Sequence, residues 1–211
     1  MKRTPFPWSF WVIACAFIGI LWARSAQDEW VSLFDGESFQ GWEGNLRYFR
    51  VEDQALIGGF LHASIPRNQF LATEKEYADF ELQLQFKLTG KKTNAGIQLR
   101  SQRIPNHHEV IGYQADLGEQ YTGCLYDESR RNKVLAGPKA DEMAAVIQPD
   151  AWNDYRIRCR GRRIELWING HLTVDYTESD PSIPQHGIIA LQIHGGPPGE
   201  VGYRRIRIRE L

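Results

Sequence analysis

Residues 80–88, FELQLQFKL, alternate apolar and polar side chains along their whole length. Successive side chains of a strand point to opposite faces, so Phe80, Leu82, Leu84, Phe86 and Leu88 line one surface while Glu81, Gln83, Gln85 and Lys87 line the other. No helix accommodates that period. From Trp30 onward the chain is a succession of similar short runs, among them FRVEDQALIGG, DYRIRCRG, RRIELWI, HLTVDYTE and VGYRRIRIREL, each bounded by turn residues. Asn169 and Gly170, between two such runs, have the positive φ tolerance that a two-residue type I′ hairpin requires, which pairs Ile168 with His171. Helix formers gather only in residues 139–146, KADEMAAV, and Pro149 ends that stretch after a turn or two. Regular strands with almost no helix predict an all-β antiparallel jelly-roll β-sandwich. At 211 residues one domain is expected, over residues 27–211.

The N-terminus has the design of an export signal: Lys2 and Arg3, an uncharged run over residues 8–22, then small residues at Ala23, Ser25 and Ala26. Residues 1–26 are therefore expected to be a signal peptide or, if uncleaved, a membrane anchor, and the protein to be exported to the periplasm or beyond. That segment holds three basic and no acidic residues. Removing it from an overall net charge of −1 leaves −4, which argues against a nucleic-acid partner. Cys124 and Cys159 lie within strand-like runs; export permits a disulfide between them, but small buried hydrophobes are the expected role.

Three apolar stretches carry one polar pattern. Gln98 and Arg100 stand in NAGIQLRSQ, Gln114 and Asp116 in IGYQADLG, and Gln192 and His194 in IIALQIHGG. Residues two apart share a strand face, so each stretch points an amide and an ionisable group the same way. On neighbouring strands these would form a floor of hydrogen-bonding groups with acid–base capacity, suited to a polyhydroxyl ligand. Each also has an ordinary reading: Arg100 as a cross-strand partner of Asp116, Asp116 as a turn former, His194 as a strand-end residue bonding a loop carbonyl, the glutamines as solvated positions. Tyr113 and Tyr126 are candidate rim contacts. Asp127 and Glu128, in DESRR, read as a charged surface loop.

Taken together, LFDGESFQGW, FRVEDQALIGG, YADFELQLQFK, NAGIQLRS, GYQADLG, TGCLYDE, WNDYRIRCRGRRIELWINGH and GIIALQIHGGPPGEVGYRRIRIREL resemble the 3-keto-disaccharide hydrolase domain family. The resemblance implies a concanavalin A-like jelly roll, exported, acting on glycosides whose sugar is oxidised at C3. A C3 carbonyl acidifies the C2 proton, so such a site needs a base near C2, a donor or metal for the enolate oxygen and an acid for the leaving oxygen. Asp116 and His194 are the candidates for base and acid, Arg100 for the electrophile, and Gln98, Gln114, Gln192, Tyr113, Tyr126 and Glu109 for substrate contacts. The competing chemistry is two-carboxylate hydrolysis, pairing Asp116 with Glu109 or Glu128. A divalent cation at Asp116, Asp127 and Glu128 is left open, as are a non-catalytic carbohydrate-binding module and a structural domain of the cell envelope. GYQAD and the following LYDESRR depart from the pattern of many relatives.

Overall fold

A computed structural model describes Met1 and residues 29–211; the expected signal or anchor falls outside the described residues. Among the described residues no helix is long and apolar enough to cross a membrane. In chain order the strands are β1 (Val31–Ser32), β2 (Trp42–Gly44), β3 (Phe49–Glu52), β4 (Ala55–Phe60), β5 (Gln69–Thr73), β6 (Phe80–Thr89), β7 (Ala95–Arg103), β8 (Val110–Leu117), β9 (Leu125–Glu128) and β10 (Lys133–Ala136). A short helix, α1 (Ala140–Ala144), precedes β11 (Asn153–Arg160), β12 (Arg163–Ile168), β13 (His171–Thr177), β14 (Ile188–Ile193) and β15 (Gly199–Glu210).

Two antiparallel sheets form a sandwich. Sheet A runs β13-β12-β11-β6-β15-β4-β3, with β1 also paired to β15, and sheet B runs β10-β9-β8-β7-β14-β5-β2. The expected hairpin is present, with Ile168 opposite His171. Phe80, Leu82, Leu84 and Phe86 of β6 face the interlayer with Tyr155, Ile157 and Cys159 of β11 and Ile164, Leu166 and Ile168 of β12. Ile97, Leu99, Leu71, Ile189, Leu191 and Ile193 complete the core from sheet B. A one-residue slip would send each of these sets to the opposite face, so the alternation fixes register as well as strand identity. Cys124 and Cys159 are free and buried, and burial pushes their thiols up to about 11 and about 12, the behaviour of buried hydrophobes rather than of a disulfide pair.

Gln98, Gln114, Asp116 and Gln192 of β7, β8 and β14 lie on the other face of sheet B, away from the core. The tip of the β7–β8 hairpin folds back over that face. Val110 joins Phe70, Ala72, Ile188 and Ala190 in a separate apolar cluster. Arg103 reaches across to Glu43 of β2, at 3.3 Å, and Asn68 Nδ2 donates to Glu109 at 3.4 Å. A bulge in the β7–β8 pairing between Leu99 and Gln102 supplies the bend.

Candidate active site

Register brings four of the expected residues together on one face, three of them joined by hydrogen bonds. Gln98 stands opposite Gln114, and Gln192, Gly96 and Asp116 form a row across β14, β7 and β8. Ser101 Oγ donates to Gln98 Oε1 (2.8 Å), Gln98 Nε2 to Gln114 Oε1 (2.6 Å), and Gln114 Nε2 to Asp116 Oδ1 (3.2 Å). Gly96 makes the last contact possible: a Cβ there would lie 2.6 Å from the Gln114 side-chain carbon, so the amide lies flat across β7 only because that position is bare. Gly96→Ala should therefore lift Gln114 off Asp116, costing about 1–3 kcal/mol of stability and most of the turnover proposed below. Denaturant unfolding and steady-state rates on one preparation check this; an unchanged rate would show that the Gln114 contact is dispensable.

Gln192 is fully buried, yet neither its Nε2 nor its Oε1 has a hydrogen-bond partner among the described residues. Buried amides are nearly always satisfied, and an orphan costs on the order of 1–3 kcal/mol. This one stands in the row of Asp116, with a donor and an acceptor uncommitted.

Asp116 is 5% exposed, and that burial pushes its carboxyl up to about 7, with the Glu128 charge adding to the rise against bonds from Gln114 and the Leu117 N–H. Glu128 is likewise raised to about 7, first by burial and then by Glu109. Its strand partner is Gly112, while Tyr126, partly exposed, lies opposite Gln114 on the same face. Asp116 and Glu128 thus stand four residues apart along adjacent strands, about 14 Å between Cα positions. Glu109 bonds Asn68 and His108 in the hairpin tip above. His194, exposed, continues the ladder of β14 through its N–H to Asn94, and its Nδ1 meets the Gly195 carbonyl at 2.6 Å. A carbonyl can only accept, so Nδ1 donates to it.

Three expectations are corrected by this geometry. Arg100 does not share the floor: at the β7 bulge it adopts φ 49°, and its buried guanidinium is spent at one end of the interlayer on Ala78 O, Gly161 O, Gln185 and Asp79, at 2.6–2.8 Å. Tyr113 is no rim contact. It faces the interlayer, donates its hydroxyl to Glu178 at 2.7 Å, and has the Arg130 guanidinium stacked over its ring. Asp127 and Glu128 are strand residues rather than a surface loop, and alternation sends them to opposite faces. Asp127, fully buried, is gripped by Arg130 and Arg131, and Arg131 also binds Glu178, which, although burial opposes ionisation, is held at about 2. Asp116, Asp127 and Glu128 therefore cannot converge on one cation, and no cluster of three potential metal ligands occurs among the described residues.

Glu128 is the site residue that sequence reasoning underweighted. Its signal was parity: in LYDE it shares a face with Tyr126, which pairs with Gln114.

The fold is shared with solved structures of low sequence identity. A "putative glycosyl hydrolase" of Parabacteroides distasonis is 19% identical with TM-score 0.65, over 86% of this chain and 94% of that one. The carbohydrate-binding module CBM66 of Bacillus subtilis is 14% identical with TM-score 0.61, over 81% and 96%. A galectin-like protein of Bacillus subtilis is 11% identical with TM-score 0.58, over 82% and 90%. Comparison with curated protein sequences finds no match. Residues 29–209, nearly everything described, match the 3-keto-alpha-glucoside-1,2-lyase-like domain, and the chain belongs to that family.

Proposed function

We propose that the polar face of sheet B cleaves glycosides whose sugar carries a ketone at C3. The observation that carries this reading is the pair of carboxyls, Asp116 and Glu128, both raised to about 7 on the face that holds the unpartnered Gln192. An ordinary surface carboxylate is too weak a base to remove a carbon-bound proton; one with a pKa near the working pH is a stronger base and is still ionised about half the time.

Asp116 takes the C2 proton, and the C2–H electron pair moves into the enolate, whose oxygen accepts from Gln192 Nε2. Collapse of the enolate expels the C1 oxygen, which takes a proton from Glu128 and leaves a C1–C2 double bond conjugated to the ketone. Water then adds at C1 and gives a proton to the Glu128 carboxylate, and the enolate so formed takes a proton back at C2 from Asp116, which completes a net hydrolysis and restores both carboxyls. The electrophilic role expected of Arg100 passes to the neutral amide of Gln192. His194 stands two residues beyond Gln192, on the side of Asp116 away from Glu128, and takes no step in this sequence.

The floor is closed. Gln98 and Gln192 are fully covered and Asp116 nearly so, with the β7–β8 hairpin tip folded over the same face. Substrate entry requires that tip to move, which also excludes water from the reacting centre once it closes. The test is a panel of 3-keto disaccharides beside their unoxidised parents, following free sugar. Release from the oxidised set alone is expected. Release from both sets would favour two-carboxylate hydrolysis, and binding without release would favour a carbohydrate-binding module.

A further inference from the structure

The outer face of sheet A, on the opposite side of the sandwich from Asp116, has a second constellation. Register aligns Trp167, Arg156, Gln83, Arg207 and Ser32 in a single row across β12, β11, β6, β15 and β1. Four strand spacings make that row about 19 Å long. An indole stands at each end. Trp167 is stacked under Arg156 at 4.3 Å, and Trp30, just before β1, under Arg207 and Arg209 at 4.9 and 5.1 Å. These cation–π contacts hold the rings in fixed orientations on the sheet.

The face is grooved for a physical reason. β15 carries a bulge between Arg204 and Arg207, with Arg205 at φ 52°, and the shifted register opens a cleft of ≈ 510 Å³ lined by Trp30, Gln83, Gln85, Arg205 and Arg207. A second cleft of ≈ 390 Å³, lined by Trp167, Arg156 and Gly170, shares Gln83, Asp154 and Arg207 with the first. Both volumes lie in the range of ligand sites.

Its positive charge is in excess, Asp154 being the one carboxylate that lines the two clefts. Arg204 and Arg207 donate only to the side-chain carbonyls of Gln85 and Gln83, and among the described residues neither they nor Arg205 make an ion pair. Burial and the neighbouring Arg205 charge both lower the proton affinity of Arg204, as expected where like charges crowd. The Glu81 carboxylate, by contrast, is taken up by Arg156 and Arg209, and Asp154 accepts from Gln85 at 2.9 Å.

We propose that this face binds an acidic oligosaccharide, a chain of sugars bearing carboxylate or sulfate groups, laid along the row between Trp30 and Trp167. The indoles offer flat apolar surfaces to pyranose C–H faces, Gln83 and Gln85 offer amides to hydroxyls, and Arg205 and Arg207 bind the anions. The site does not depend on the chemistry proposed for sheet B.

Native gels of the full-length protein cast with polygalacturonate, or with neutral dextran, test this directly. Retardation by polygalacturonate and not by dextran is expected, weakened roughly tenfold in Arg207→Glu and at least about threefold in Trp167→Ala, with Arg207→Gln intermediate. Thermal melts establish that each variant is folded. Asp116→Asn should be retarded like the parent, and Trp167→Ala should keep its glycoside cleavage. No retardation by polygalacturonate overturns the proposal, as does equal retardation by dextran. Unchanged binding in Trp167→Ala reduces the effect to unspecific charge. Binding to phosphatidylglycerol vesicles in place of polygalacturonate would make the face a membrane contact.

Discussion

Asp116→Asn should lower turnover of a 3-keto glycoside by roughly two to four orders of magnitude, the usual worth of a positioned general base. The substitution is nearly isosteric and leaves an amide that can still face Gln114, so the loss is expected in kcat with KM little changed. The same residue controls stability against pH. Its native carboxyl ionises near 7, well above its ordinary value of 3.8, so between those limits the folded state holds a proton that the unfolded state has released. Stability from this group is greatest below the ordinary value and is lost as pH rises from about 4 through 7, by on the order of a few kcal/mol. Asp116→Asn removes that loss. Melting temperatures taken from pH 4 to 8 should fall in the parent and fall less steeply in the variant, where only the raised Glu128 carboxyl still contributes, and the variant should be the more stable protein at pH 8. A parallel fall in both would mean that Asp116 ionises normally.

The second large effect is structural. Arg100→Met should destabilise the fold by about 3–5 kcal/mol, because a fully buried guanidinium now satisfies the carbonyls of Ala78 and Gly161, the Gln185 amide and Asp79 at the closed end of the sandwich. Arg100→Lys should recover little, since one ammonium cannot span four acceptors held in that geometry. Urea unfolding measures both. At low temperature, where the variants remain folded, cleavage should persist, which separates this role from direct participation in the reaction. Loss of turnover in a folded Arg100→Met would return Arg100 to the site.

The fold was legible because a sandwich writes its register into alternation. The pattern of residues 80–88 and the Asn169–Gly170 turn each determine which side chains meet. The floor was legible for the same reason at Gln98, Gln114, Asp116 and Gln192, all on stretches of strand clear of the bulges. Arg100 was misplaced because parity fails at a bulge: one residue with positive φ turns the chain, and nothing in QLRSQ announces it. Tyr113 was misplaced by adjacency, since a neighbour along a strand points to the opposite face. Glu128 was discounted because five consecutive polar residues, DESRR, resemble a solvated turn, whereas the first two belong to β9 and are divided between its two faces. Packing of the hairpin tip over the floor depends on contacts between distant segments, Arg103 with Glu43 and Asn68 with Glu109, which no local pattern encodes.

The central claim is that Asp116 removes a carbon-bound proton, and isotope exchange addresses it without reference to the fate of the leaving group. A 3-keto disaccharide incubated in D₂O with the protein should gain deuterium at C2 of the product sugar, detected by NMR, at a rate that collapses in Asp116→Asn. Cleavage that leaves the C2 proton in place, or C2 exchange undiminished in Asp116→Asn, would contradict it.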